Sequence, residues 1–226
     1  MERIRLAIVD DHYQTRQSLK ELMEYSKSIE VTFAADSGKS FLNYLKQTKG
    51  DVLPDVVLMD VDMPELDGID TVMIAKTVYP SIRFLMLTVY DDEEILWRSI
   101  KAGAAGFLLK DEKIQVIEQH IQNVYKGIDA PMSPSIAQKA LSLIHRATQP
   151  GKEKEEGAPP VPFEVSGREI EVLQLLVDGY NYKDIGEKLF ISYNTVKKHV
   201  ANIYEKLHVT SKAQAIKVSH YYNLLR

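Results

Sequence analysis

Val56-Val57-Leu58-Met59-Asp60 decides the fold: four consecutive apolar residues lead directly to a carboxylate. An unbroken apolar run this short suits a strand buried on both faces of a parallel sheet. Three more runs share the pattern. Leu6-Ala7-Ile8-Val9 is followed by Asp10 and Asp11, Phe84-Leu85-Met86-Leu87 by Thr88, and Phe107-Leu108-Leu109 by Lys110. Parallel sheets bind ligands outside the carboxyl ends of their strands, so these polar residues are expected to converge on one edge. Three clustered carboxylates raise one another's pKa unless a cation joins them, and an oxygen-only ligand set favours magnesium. The cluster reads as a metal-assisted phosphoryl site with an aspartate as nucleophile. The plainer alternative is an acidic sheet edge with solvated carboxylates.

Alternation of strands and helices surrounds these runs. Strands are expected at Arg3–Val9, Glu30–Ala34, Asp55–Met59, Arg83–Leu87 and Gly106–Leu109. Helices are expected at Thr15–Tyr25, Lys39–Lys46, Ile69–Val78, Glu93–Lys101 and Glu112–Lys126. Five such units predict a doubly wound α/β domain with a five-stranded parallel sheet.

Four motifs then stand in order: Ile8-Val9-Asp10-Asp11-His12, Leu58-Met59-Asp60-Val61-Asp62-Met63-Pro64-Glu65-Leu66-Asp67-Gly68, Leu87-Thr88, and Ala102-Gly103-Ala104-Ala105-Gly106-Phe107-Leu108-Leu109-Lys110. Together they resemble the receiver domain of a bacterial two-component response regulator, over residues 1–127. The resemblance implies that Asp60 is the phosphoacceptor, loaded by a partner histidine kinase. It implies that Asp10, Asp11, the Asp60 carboxylate and the backbone carbonyl of Asp62 hold Mg2+. Lys110 and Thr88 would bind phosphoryl oxygens, and movement of Thr88 would vacate space for the switch aromatic, Phe107. Many receivers have tyrosine at that position, so this aromatic lacks a hydroxyl. Asp62 and Tyr90 match the positions that tune phosphoryl lifetime. Asp60-Val61-Asp62 also fits the nucleophile motif of haloacid-dehalogenase-like phosphatases, but those enzymes place their extra acidic pair late in the chain. Pro64 and Gly68 also suit the receiver loop better.

Composition sets the remaining bounds. The chain has 226 residues and no cysteine. That length admits one or two domains with their own cores, and the missing thiols fit a reducing cytosol. No run approaches the roughly 18 apolar residues of a membrane span, and Asp10-Asp11 come too early for a signal peptide. A cytoplasmic protein is expected. The net charge of −4 hides an asymmetry: residues 1–130 carry 15 Lys/Arg against 22 Asp/Glu, and residues 163–226 carry 9 against 7. An acidic front and a basic tail suggest that the tail meets a polyanion, although a solvated face would look similar.

Between these halves, residues 128–162 read as a linker. Ser133-Pro134 opens a short helix in which Ile136, Ala140, Leu143 and Ile144 recur at helical spacing as far as about Arg146. Thr148–Pro160 is polar and rich in helix breakers, hence a flexible connection.

Residues 163–226 form a four-helix pattern. Ser166 and Glu169 make a capping box, and Gly179 ends the first helix. Tyr182–Leu189 is the second helix, Tyr193–Leu207 the third after Ser192, and the fourth runs from Ser211 to about Tyr222. Val196, Val200, Ile203 and Leu207 share the inner face of the third helix. Asn194, Lys197, Lys198, Ala201 and Glu205 point outward, and His199 flanks the core. A short helix, a tight connection and a helix with a basic outer face make a helix-turn-helix. Arg168-Glu169, Ile191-Ser192, Thr195-Val196-Lys197-Lys198-His199-Val200 and Asn202-Ile203 resemble the LuxR-type DNA-binding domain. Lys197 and Lys198 are the first candidates for base or phosphate contacts, with Asn194 and Thr195 reaching the backbone. Tyr180-Asn181-Tyr182-Lys183 and Gly186 depart from the family pattern. The whole resembles a response regulator of the NarL/FixJ class, a transcription regulator rather than an enzyme. Its expected partners are a sensor histidine kinase, double-stranded DNA and a second copy of itself. A receiver-bearing adaptor that does not bind DNA is the alternative.

Overall fold

The computed structural model describes residues 3–48, 52–89, 92–128, 132, 136–141 and 162–225. The chain divides into two compact units, Met1–Lys154 and Glu155–Arg226.

In the first unit five strands, β1 (Ile4–Val9), β2 (Ile29–Ala35), β3 (Val56–Asp60), β4 (Arg83–Thr88) and β5 (Gly106–Leu109), alternate with five helices. These are α1 (Tyr13–Glu24), α2 (Gly38–Gln47), α3 (Gly68–Val78), α4 (Glu93–Ala102) and α5 (Ile114–Tyr125). The strands form one sheet in the order β2-β1-β3-β4-β5, and every pairing is parallel. The apolar runs fall where the physics requires. β3 is buried at all five positions, because helices cover both faces of a central strand. The edge strand β2 alternates between covered and exposed residues. Leu19 and Met23 of α1 join Ile117, Ile121 and Val124 of α5 in one core with strand residues Ile8, Leu58 and Leu85.

Element boundaries moved by one or two residues from the expected ones, for local reasons. The main-chain N–H of His12 donates to the Asp10 carboxylate at 2.9 Å, so the chain turns at once and α1 starts at Tyr13 rather than Thr15. Lys113 holds an extended conformation at the N-cap of α5, so that helix begins at Ile114 rather than Glu112. Asp60 is the last residue of β3 rather than the first beyond it.

Beyond α5, Met132 forms an isolated parallel bridge with Phe107 of β5, the strand that ends the sheet. Residues 136–141 are helical (α6), with Ile136 and Ala140 buried as their spacing predicts. The Ser133-Pro134 start, Leu143, Ile144, Arg146 and the stretch Thr148–Pro160 lie outside the described residues.

The second unit is helical: α7 (Gly167–Val177), α8 (Tyr182–Leu189), α9 (Tyr193–Lys206) and α10 (Lys212–Tyr221). Ser166 and Glu169 form the capping box reciprocally. Gly179 takes φ +94°, a left-handed conformation that suits glycine where the chain leaves α7. Val196, Val200, Ile203 and Leu207 are buried together with Val172, Leu173, Ile185 and Val218.

Candidate phosphoacceptor site and nucleic-acid interface

β1 and β3 are adjacent in the sheet, yet their connections leave in opposite directions, and a crevice opens beyond their carboxyl ends. Asp10 follows β1 and Asp60 closes β3. Both are sealed from solvent, at 1% and 3% exposure. Lys110, just past β5, reaches across β4 to both carboxylates. Its ammonium lies 2.9 Å from Asp10 Oδ2 and 2.8 Å from Asp60 Oδ2. The Lys110 main-chain N–H donates to the Thr88 carbonyl at 2.8 Å, which fixes the base of that side chain against the neighbouring strand.

The electrostatics follow from this burial. Desolvation pushes the Asp60 carboxyl up to about 6, with Asp10 and Asp11 adding to the rise and Lys110 opposing it. Burial works against the Lys110 ammonium, but its pairing with Asp60 and Asp10 outweighs that and raises its pKa. One cation therefore faces two buried anions and the partly exposed Asp11, a site that is short of positive charge. Among the described residues, no N–H or O–H group other than the Lys110 ammonium meets Asp10 Oδ2 or Asp60 Oδ2. Carboxylate oxygens are the donors that suit a hard divalent cation, so the residues fit magnesium.

The loop after β3 needs a glycine. A Cβ on Gly68 would lie 1.8 Å from the Asp60 carbonyl oxygen. The Gly68 N–H donates to the Val61 carbonyl at 2.9 Å, which folds the loop back onto the end of β3. Asp67 caps α3 by accepting from the Asp70 N–H, and its other carboxylate oxygen meets Arg98 of α4 at 3.0 Å. Asp62 is exposed on this loop.

Thr88 is buried at the end of β4 and Phe107 is buried in β5. Register pairs Met86 with Phe107 and Thr88 with Leu109, so Thr88 and Phe107 share one face of the sheet, two residues apart along the strands. Tyr90 lies outside the described residues.

His12 was not picked out by its sequence pattern. Its imidazole Nδ1 lies 2.6 Å from Asp11 Oδ1 and 3.9 Å from Asp10 Oδ1. One potential ligand atom from each of Asp10, Asp11, His12 and Asp60 lies within 4.8 Å of all the others. Its position directly after the acidic pair was the available signal.

In the second unit, Phe190 adopts φ +54° at the end of α8, and Ser192 caps α9 by accepting from the Thr195 N–H. This tight turn is the helix-turn-helix connection. A Cβ on Gly186 would come within 2.8 Å of the Ile191 carbonyl oxygen, so the glycine lets α8 press on the turn. Asn194, Lys197 and Lys198 project from α9 into solvent, while His199 is half-buried. Thr195 is half-buried too, its hydroxyl engaged with Ser192 at 2.8 Å. The unusual Tyr180–Lys183 segment has structural work: Asn181 caps α8, and Tyr182 hydrogen-bonds Tyr204 of α9 and lies 6.0 Å from the Tyr193 ring. With burial, that contact pushes the Tyr204 hydroxyl up to about 12.

A parallel five-stranded domain with an Asp-Asp-Lys crevice, joined in one chain to a helix-turn-helix unit, defines a receiver coupled to a DNA-binding output. Residues 6–122 match the response regulator receiver domain, and residues 164–219 match the bacterial regulatory proteins of the luxR family. The chain belongs to the two-component response regulators of the NarL/FixJ class, which are transcription regulators. It is 31% identical to the transcriptional regulatory protein DegU of Brevibacillus brevis, over 95% of this chain and 92% of that protein. It is 32% identical to the oxygen regulatory protein NreC of Staphylococcus haemolyticus (strain JCSC1435), over 94% of this chain and 95% of that one. The response regulator ChrA of a heme-sensing two-component system superposes with a TM-score of 0.50 at 30% identity, covering 100% of both chains. Among the described residues, no helix is long and apolar enough to cross a membrane.

Proposed function

We propose that this regulator is switched by phosphorylation of Asp60 and reads DNA through α9. The observation that carries the proposal is the Lys110 ammonium held within 3 Å of both Asp10 and Asp60 at the carboxyl ends of β1, β3 and β5. In this reading residues 1–127 are the receiver, 128–162 the linker and 163–226 the DNA-binding domain. A carboxylate oxygen of Asp60 attacks the phosphorus of a phosphohistidine on a sensor kinase. The P–N bond breaks, the imidazole takes up a proton, and an acyl phosphate forms on Asp60.

Asp10, Asp11, Asp60 and the Asp62 backbone carbonyl are the groups that would hold Mg2+, which supplies charge neutralisation for the phosphoryl oxygens when bound. Lys110 neutralises one of those oxygens, and the Thr88 hydroxyl donates to another. The movement of Thr88 makes room for Phe107, which converts local charge into a change at the β5 edge. Asp62 and Tyr90 set how readily water reaches the acyl phosphate. Because the group is loaded once per signal, the site works as a switch rather than a turnover catalyst. In the second unit Lys197 and Lys198 meet the major groove, and Asn194 and Thr195 the phosphate backbone. Two copies pair on phosphorylation or on DNA, each presenting α9 to one half-site. The protein works in the cytoplasm.

Capture of fragmented genomic DNA by the purified chain, with Mg2+ and with or without a small-molecule phosphoryl donor, tests this reading. Discrete sites should be enriched only with the donor, and Asp60→Asn should lose that response. Equal capture by the Asp60→Asn protein with the donor sinks the switch. No capture under any condition returns the tail to a protein-binding role.

A further inference from the structure

The sheet ends at β5, and the outer edge of an end strand is a row of main-chain donors and acceptors that another segment can take. In this chain Met132 takes it, through a parallel bridge to Phe107. On its other side Phe107 pairs with Met86 of β4, and its side chain is 1% exposed. The aromatic next to Thr88 is thus clamped between β4 and the segment that leaves α5. Further along that segment, α6 buries Ile136 and Ala140, one turn apart on one face, while Leu141 is 67% exposed. Met132 and α6 belong to the same compact unit as the sheet, so this face packs on the receiver itself.

The helices beside this edge show that the seat is imperfect. Arg98 of α4 turns to α3, where it meets Asp67 and Asp70, so Trp97 stands on the flank away from α3 and toward β5. Glu118 of α5 accepts from the Ser26 hydroxyl just after α1, which puts His120 on the opposite flank, again toward β5. Trp97 Nε1 and His120 Nδ1 are both buried, and neither has a hydrogen-bond partner among the described residues. A buried polar atom left unpaired destabilises the arrangement that covers it. We propose that Met132 and α6 form a strap on the β5 edge, seated while Asp60 is free and released when Asp60 is phosphorylated. As Phe107 moves into the space that Thr88 leaves, the bridge partner of Met132 moves with it, and a seat already short of hydrogen bonds gives way. The proposal rests on the reading of Asp60 as phosphoacceptor and of Thr88 and Phe107 as its moving pair. It goes beyond that reading by naming the segment that responds.

The test is amide hydrogen exchange of the full chain, read by mass spectrometry with Mg2+ and with or without a small-molecule phosphoryl donor. Intact mass reports the phosphoryl group, and the emission of Trp97, the one tryptophan of the chain, reports the β5 edge. In phosphorylated wild type the peptide that holds Met132 and α6 should exchange about tenfold faster, a factor typical of coupling between two sites. Trp97 emission should shift to the red as water reaches its ring. Ile136→Asp sets a charge at a fully buried position. It should show both signatures without the donor, change no further with it, and still take up the phosphoryl group. Ile136→Ala, the milder change, should fall between wild type and Ile136→Asp. A phosphorylated wild type with unchanged exchange in this peptide overturns the strap and leaves the phosphoacceptor reading standing. Faster exchange spread evenly over α1 to α5 overturns it too, since the whole receiver has then loosened. A wild type that takes up no phosphoryl group sinks both readings together.

Discussion

At the scale of single residues, the site is a set of charges held where they are uncomfortable. The Asp60 carboxyl rises from an ordinary value of 3.8 to about 6, chiefly through burial. A carboxylate whose pKa is raised by folding contributes stability that is fully present below the unfolded value and lost as pH rises through the folded one. At neutral pH the ionised Asp60 therefore weighs against the fold. In a chelator, Asp60→Asn should melt several degrees above wild type at pH 7.5. That gap should narrow as pH falls below about 6 and vanish near 3.8. Thermal melts across this range decide it, and a variant that melts lower than wild type at pH 7.5 refutes the account. Gly68 makes the opposite kind of demand, for space rather than charge. Gly68→Ala drives a methyl into the Asp60 carbonyl, which should cost about 2 kcal/mol, an ordinary overpacking penalty. Denaturant midpoints would show it, and a change under about 0.5 kcal/mol would mean that the loop moves freely. The aspartates and the lysine were legible because they end apolar runs. The need for Gly68 as contact space was not, since it depends on where the Asp60 carbonyl lies in three dimensions.

Elements carry the next layer. The five strands could be read from sequence because a parallel strand with both faces covered must be apolar throughout, as β3 is. Helix starts were less legible, since the Asp10 side chain and the extended Lys113 set them through local hydrogen bonding that no hydrophobic period reports. In the second unit the capping box was visible, but its third member was not. Lys206 on α9 pairs with buried Glu169 at 2.8 Å and so ties the start of α7 to the end of the recognition helix. Burial opposes the charge on Glu169, yet the bonds from Lys206 and Ser166 prevail and lower its pKa. Glu169→Ala keeps the Ser166 cap but removes the return half of the capping box and the partner of Lys206, and should cost about 2 kcal/mol, the scale of a lost hydrogen bond to a charged group. A chemical denaturation curve would measure this, and a loss within error would reduce the pair to decoration. The outward face of α9 gives a different prediction. Lys198→Ala should weaken binding to duplex DNA and lower the salt slope by about 1 if Lys198 meets a phosphate. An unchanged slope with altered sequence preference would assign it to a base edge.

At the scale of the whole molecule, charge is distributed so that one half opposes what the other half binds. Residues 1–130 carry 15 basic and 22 acidic side chains, and residues 163–226 carry 9 and 7. DNA is a polyanion whose attraction to the basic unit comes largely from counterion release. The acidic unit is joined to it in one chain and travels with it to the duplex, whatever the geometry between them. Its repulsion from DNA is long-ranged at low ionic strength and falls off beyond a Debye length of about 10 Å at 0.1 M salt. A fragment starting at residue 162, which carries α7 to α10 and their core, should therefore bind non-specific duplex more tightly than the full chain at about 20 mM salt, where the Debye length is roughly 20 Å. Raising salt to about 0.3 M should bring the two affinities together, because the repulsion is then screened while the contacts of α9 remain common to both. Fluorescence anisotropy on a duplex of arbitrary sequence measures the pair of curves. If the fragment and full chain differ by the same factor at both salts, the acidic half acts by covering the DNA-binding face rather than by its charge. If they never differ, the charge asymmetry legible in the sequence has no bearing on how this regulator meets DNA.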